Sequence, residues 1–170
     1  MLKSSFIAIA FAALIAVCAQ VSVPMVPVPM TLQTWAVLLA GLGLGTRWGT
    51  VSVGLYLLAA AIGLPVLSEG RSGIEALTGP TAGYLVGFPI VAALAGAMGR
   101  SDRFRSPWIM IASLSGLHAI VLILGAAWLA RGVGIEAAVS GGLLPFLPGA
   151  VVKSVAAWAA WRSLARLRRP

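Results

Sequence analysis

Six apolar stretches, parted by breaks, set what this chain can fold into. They predict helical spans at about residues 4–23, 31–45, 48–64, 80–98, 107–130 and 147–165. A hydrocarbon core of ~30 Å takes about 20 helical residues to cross, so the first, fifth and sixth stretches reach easily while the second and third are short. Short spans have to be held inside a bundle or beside thinned bilayer. Composition agrees: 60% of the residues are hydrophobic and 9% charged, whereas a soluble domain carries about 25% charged residues. The expected fold is an all-α integral membrane protein, one domain over residues 1–170 forming a compact six-transmembrane-helix bundle.

The formal net charge of +8 has a topological reading. Lys3, Arg47, Arg100, Arg103, Arg105, Arg162, Arg166, Arg168 and Arg169 fall on ends that six spans place on one side. These are nine of the twelve cations, and Arg71, Arg131 and Lys153 fall on the other side. The positive-inside rule then puts both termini in the cytoplasm. The charge orients the chain and attracts anionic lipid; with no aromatic interleaving and no recognised module, it does not point to nucleic acid. Residues 1–20 also have the outline of a secretory signal, with Lys3, an apolar core and Val17-Cys18-Ala19 as a small-residue site. Removing them would leave five spans and one terminus on the wrong side, so a retained span is expected. Cys18, the single cysteine, excludes an internal disulfide and reads as a small buried hydrophobe.

The breaks between spans carry the chemistry. In VPMVPVPMTLQTWAVLL, residues 23–39, Pro24, Pro27 and Pro29 fix φ and remove three backbone donors, so no helix runs through them. Thr31, Gln33 and Thr34 follow as a dense set of uncharged polar groups, a wall for a small polar ligand. Residues 45–49, Gly-Thr-Arg-Trp-Gly, leave room only for a tight turn, making the second and third spans an antiparallel pair. Residues 62–80 form the longest irregular segment, with Glu69, Arg71 and Glu75; a loop of this length is expected to act as a lid or binding loop. In LTGPTAGYLVGF, residues 77–88, Pro80 suits a first helical turn with Thr78 as its cap. Gly83 and Gly87 there allow close approach by a helix or ligand, and Tyr84 offers a ring and one hydroxyl to either a site or an interfacial belt. Lys153, about one turn into the last span, either snorkels outward or meets an anion such as a ligand carboxylate.

Other features have plainer readings. His118 is a lone histidine in an apolar helix, expected to be satisfied by a backbone carbonyl or a neighbouring helix, and without a second His or Cys nearby it does not signal a metal. Ala8, Ala12 and Ala16 form a small-residue stripe that serves either internal packing or a partner helix. No paired intramembrane carboxylates, nucleophile elbow, phosphate loop or metal-ligand spacing is present, which argues against an enzyme, a cofactor protein or an autonomous ATP-driven pump. Irregular polar segments on one face of a helical bundle point instead to a small-molecule binding protein.

VPMVPVPMTLQTWAVLLAGLGLG, YLLAAAIGLPV, LTGPTAGYLVGF and PFLPGAVVK, in this order and spacing, resemble the BioY family from about Ala8 to Arg162. Members of that family are the biotin-specific S components of energy-coupling factor transporters. The resemblance implies a bundle in the bacterial inner membrane that binds biotin near its outer face. It implies as partners a transmembrane coupling subunit and ATPase subunits, met by alanines of the first helix, here Ala8, Ala12 and Ala16. One departure stands out. The family's PGDxxK pattern has an acid where this chain has Ala150, and only Lys153 carries over; Glu69, Glu75 or Gln33 is the expected substitute, the alternatives being a reduced affinity or a biotin relative as substrate. Biotin's ureido ring suits Thr31, Gln33 and Thr34. Its apolar parts suit Trp35, Tyr84 and Phe88, and its carboxylate suits Lys153 or Arg71. An S component for another vitamin and a non-transport membrane assembly protein are the alternatives.

Overall fold

The computed structural model describes residues 2–167, with side chains from 4 to 166; Lys3, Arg168 and Arg169 of the charge argument lie outside the described side chains. The elements are α1 (Leu2–Gln20), β1 (Ser22–Val23), β2 (Met30–Thr31), α2 (Gln33–Ala61), α3 (Gly73–Thr78), α4 (Ala82–Met98), α5 (Pro107–Val133), α6 (Ile135–Gly142) and α7 (Leu147–Leu167). Short 3-10 turns occupy Ser68–Gly70, Asp102–Phe104 and Leu144–Phe146.

Although α2 is a run of 29 residues, it is two helices folded back on each other. Gly45 sits at φ 79° and ψ 176°, outside helical space and open at low strain only to glycine. A Cβ on Gly49 would lie 2.7 Å from the Gly41 Cα, an approach that a straight helix, with about 12 Å between residues eight apart, cannot make. The limbs, 33–44 and 46–61, are therefore an antiparallel pair, about 18 and 24 Å long at 1.5 Å per residue. Their shortness is met by burial: every residue from Ala36 to Leu42 is buried. Together with α1, α4, α5 and α7 the two limbs make six apolar helices, a multi-pass membrane bundle.

Two ends of this bundle can be told apart. At one, Arg100 Nη2 donates to the Leu44 carbonyl at 3.1 Å, so the Gly45 turn and the connection from α4 to α5 lie together. At the other, Gln20 Nε2 donates to the Leu67 carbonyl at 3.0 Å, joining the end of α1 to the connection after α2. That second end carries α3, α6 and the proline-rich segment.

The proline-rich segment is a strap closed by a small ladder. Ser22 pairs with Thr31 and Val23 with Met30 in antiparallel register, and Leu32 N donates to Val21 O at 3.0 Å. Val28 is buried in a side cluster with Leu122, Leu129, Ala138, Phe146 and Ala150, which fixes the strap against α5, α6 and α7. Residues 62–80 are less irregular than the sequence predicts, since they contain a 3-10 turn and α3. The expected cap also moves. Thr78 ends α3 and its Oγ1 donates back to the Ile74 carbonyl at 3.0 Å, while α4 starts only at Ala82. The main core runs through Ile15, Val37, Val53, Tyr56, Val91, Met110 and Leu114, with Cys18 buried and free among them.

Candidate ligand-binding site

Where the helices break, they leave a cavity. It lies at the end that carries α3 and α6, and its empty space, counted out through the mouth into open solvent, is about 660 Å³. Five parts of the chain build it. The strap and the start of α2 supply Pro29, Thr31, Gln33 and Thr34; the connection before α3 supplies Leu67 and Ser68; α4 supplies Tyr84, Leu85 and Phe88; α5 and α7 supply His118, Val121, Ala150 and Lys153.

Each polar group on this wall has a definite state. Thr31 Oγ1 donates to Gln33 Oε1 at 2.8 Å, and Gln33 Nε2 donates to the Tyr56 hydroxyl, so the amide is held by two neighbours within the wall. Thr34 Oγ1 is buried and has no hydrogen-bond partner. Lys153 Nζ donates to the Thr31 carbonyl at 3.1 Å, tying α7 to the strap. Among the described residues this ammonium meets no carboxylate: the ion pairs there are Arg71–Glu69 and Arg105–Asp102. A half-buried cation with one neutral partner attracts an anion or another strong acceptor.

The aromatic wall is set by glycines behind it. A Cβ on Gly83 would fall 2.4 Å from the Leu124 carbonyl oxygen, and one on Gly125 would fall 2.2 Å from the Tyr84 ring, so α4 and α5 touch backbone to backbone. Gly83 and Gly87 thus face a helix, not the cavity. Tyr84 lies flat on Gly125, its hydroxyl donating to the Gly142 carbonyl at 2.7 Å, and its ring centroid is 6.4 Å from that of Phe146. With the hydroxyl engaged, Tyr84 offers the cavity its ring.

Thr31, Gln33, Thr34, Tyr84, Phe88 and Lys153 are brought together on this wall. Trp35 and Arg71 are not. Two residues after Gln33, Trp35 turns about 200° around the helix and packs on the main core with its Nε1 unpartnered. Arg71 folds onto its own turn, bonding the Ser68 carbonyl at 3.2 Å and Ser68 Oγ at 3.0 Å, with Glu69 at 3.7 Å. It touches the cavity only through Ser68. Of the three substitutes expected for the acid absent at Ala150, Gln33 lines the cavity; Glu69 and Glu75 are exposed and do not.

Sequence reasoning passed over Ser68 and His118 as cavity residues, although both line it. Only the order of the breaks could have signalled Ser68, and nothing in the local sequence of His118 marks it. On α1, Ala8 is fully buried, which takes it out of a partner's reach in this conformation; Ala12 and Ala16 are half-buried and pack on the core. The outward face of α1 is instead Phe6, Ile9 and Val17.

Comparison with known proteins agrees with this architecture. The BioY family model matches residues 2–170. A protein of Pyrococcus horikoshii described as a probable biotin transporter BioY is 43% identical over 147 residues, 86% of each chain. The biotin transporter BioY of Thermotoga maritima is 38% identical over 148 residues, again 86% of each. Among solved structures, the S-component for biotin from an ECF-type ABC transporter superposes with a TM-score of 0.82 at 28% identity, over 97% of this chain and 92% of that one. Match to the family model over the whole described length, together with these relatives and the shared fold, establishes that the chain belongs to the BioY family.

Proposed function

We propose that this chain is the biotin-binding S component of a biotin uptake system. It would be a multi-pass protein of the bacterial plasma membrane with both termini in the cytoplasm, energised by a separate coupling subunit and ATPase subunits. The observation that carries the reading is the cavity itself: an apolar and aromatic pocket holding an amide, a free hydroxyl and an ammonium that meets no carboxylate among the described residues. Biotin has the complementary parts. A carboxylate or ureido oxygen answers Lys153, the ureido group answers Gln33 and Thr34, and the thiophane ring and valeryl chain lie against Tyr84 and Phe88.

The cation distribution supports the orientation. Arg47, Arg100, Arg103 and Arg105 stand at the end opposite the cavity, so the positive-inside rule turns the cavity outward, where a scavenged nutrient arrives. Ala12 and Ala16 are the part of the α1 stripe left for a coupling subunit.

Purified chain in nanodiscs should be stabilised by biotin in preference to other vitamins. A ligand at 100 times its Kd adds about 2.7 kcal/mol. A larger thermal shift with another vitamin would move the chain to a different substrate. Co-expression with coupling and ATPase subunits should yield a complex that takes up biotin. Full uptake by the chain alone, with no complex recovered, would overturn the partner assignment.

A further inference from the structure

The hydrogen bonds around His118 fix its tautomer. Ser154 Oγ lies 2.8 Å from the Ala150 carbonyl and 3.0 Å from His118 Nδ1, and Nδ1 lies 3.2 Å from the Leu114 carbonyl. A serine hydroxyl has one proton and carbonyls only accept. If Ser154 gives its proton to Ala150 O, its lone pair has to receive one from Nδ1–H, which the Leu114 carbonyl shares. The opposite assignment sets a bare Nδ1 lone pair against a carbonyl oxygen. The proton is therefore on Nδ1, and Nε2 carries a lone pair. A second proton on Nε2 would bury an uncompensated cation on the wall that already holds Lys153. His118 is 3% exposed, lines the cavity, and its Nε2 has no partner.

We propose that His118 is a ligand-recognition residue whose Nε2 accepts a hydrogen bond from an N–H donor of the bound molecule. Buried polar atoms are almost always paired, and this one belongs to a ring held from behind by α5 and α7 backbone through Ser154. The side chain at the neighbouring wall position, Ala150, has no acceptor to offer. Neutral imidazole selects a donor and repels a lone pair or an anion, and an amide, urea or amine N–H meets that requirement. Resting on the biotin reading above, the donor is a ureido N–H, and His118 makes the pocket selective for a free urea over an N-substituted one.

The test measures equilibrium binding of biotin and of biotin methylated on its ureido nitrogens, by competition against labelled biotin in nanodiscs. Wild type should prefer biotin, and His118→Leu should lose about 10- to 100-fold for biotin while losing little for the methylated compound. Ala150→Asp, added to His118→Leu, places an acceptor on the same wall and should recover part of the preference. An unchanged preference in a folded His118→Leu variant overturns the proposal and leaves the biotin reading standing; wild type that binds no biotin defeats the reading itself. His118 is the single histidine, so untagged chain labelled with 15N-histidine reports it alone without any mutation. Nε2 should resonate as an unprotonated nitrogen and move on biotin binding, and a protonated or unmoved Nε2 contradicts the assignment.

Discussion

The two ends of the bundle solve the same problem in opposite ways. Both are places where helices stop, so both expose backbone groups and gaps between elements. At the end of the Gly45 turn the gaps are closed. Arg100 lies over Gly45 and bonds the Leu44 carbonyl, and a Cβ on Gly96 would fall 2.2 Å from Thr46 N. At the other end the strap, the connection before α3, and parts of α4, α5 and α7 stand around a space that stays open, and it is lined by Thr34 and His118, whose Oγ1 and Nε2 have no protein partner. Helix breaks alone do not make a binding site. They make one where residues decline to fill the gap and leave donors, acceptors and charge unspent.

The largest separation between the ends should come from Lys153. Lys153→Ala should weaken biotin by at least about 100-fold, since a charged hydrogen-bonding partner is lost from a shielded wall. Isothermal titration measures it. Running the methyl ester of biotin beside biotin locates the partner: equal losses assign Lys153 to a ureido oxygen, and a loss confined to the free acid assigns it to the carboxylate.

Paired glycine substitutions come next. Gly83→Val and Gly96→Val should each destabilise by about 1–3 kcal/mol through overpacking, since a Cβ at either would fall under 2.5 Å from backbone. Only Gly83→Val, which pushes apart α4 and α5 beside Tyr84, should also weaken biotin among molecules that remain folded. If Gly96→Val weakens it equally, the two ends are not independent.

A finer contrast uses two threonines. Thr34 Oγ1 and Thr50 Oγ1 are both buried without partners, but only Thr34 lines the cavity. Threonine to valine keeps the shape and removes the hydroxyl, so neither change should lower stability by more than about 1 kcal/mol. Thr34→Val should weaken biotin about 10-fold and Thr50→Val should leave it unchanged. The smallest effect belongs to Arg71. It is tied to Ser68 and Glu69 on a partly exposed turn, where such pairs contribute about 0–1 kcal/mol, and Arg71→Ala should change biotin affinity by less than about 3-fold. A loss comparable to that of Lys153→Ala would bring Arg71 into the site.

Much of this was readable from residue types alone. The prolines from 24 to 29 and the Gly-Thr-Arg-Trp-Gly run force breaks by covalent geometry, and that logic holds wherever they pack. Thr31, Gln33, Thr34, Tyr84, Phe88 and Lys153 were placed by standing next to breaks. What the sequence does not carry is rotational phase. Trp35 looks as available as Gln33 until the helix is docked, and then it faces the core. The alanine stripe of α1 has the same ambiguity, since small residues serve an internal helix and a foreign one equally well; docking against α2 buries Ala8. His118 was hidden for a different reason. Its role depends on Ser154, 36 residues away on α7, and no local pattern announces which nitrogen such a contact leaves free.

Saturation binding of labelled biotin to the purified chain, reconstituted without any other subunit, asks whether the open end of the bundle is a biotin site. One biotin per chain should bind tightly and saturably, and Lys153→Ala should abolish that binding at the same ligand concentrations. No saturable binding to folded wild-type chain, or binding that Lys153→Ala leaves intact, would contradict it.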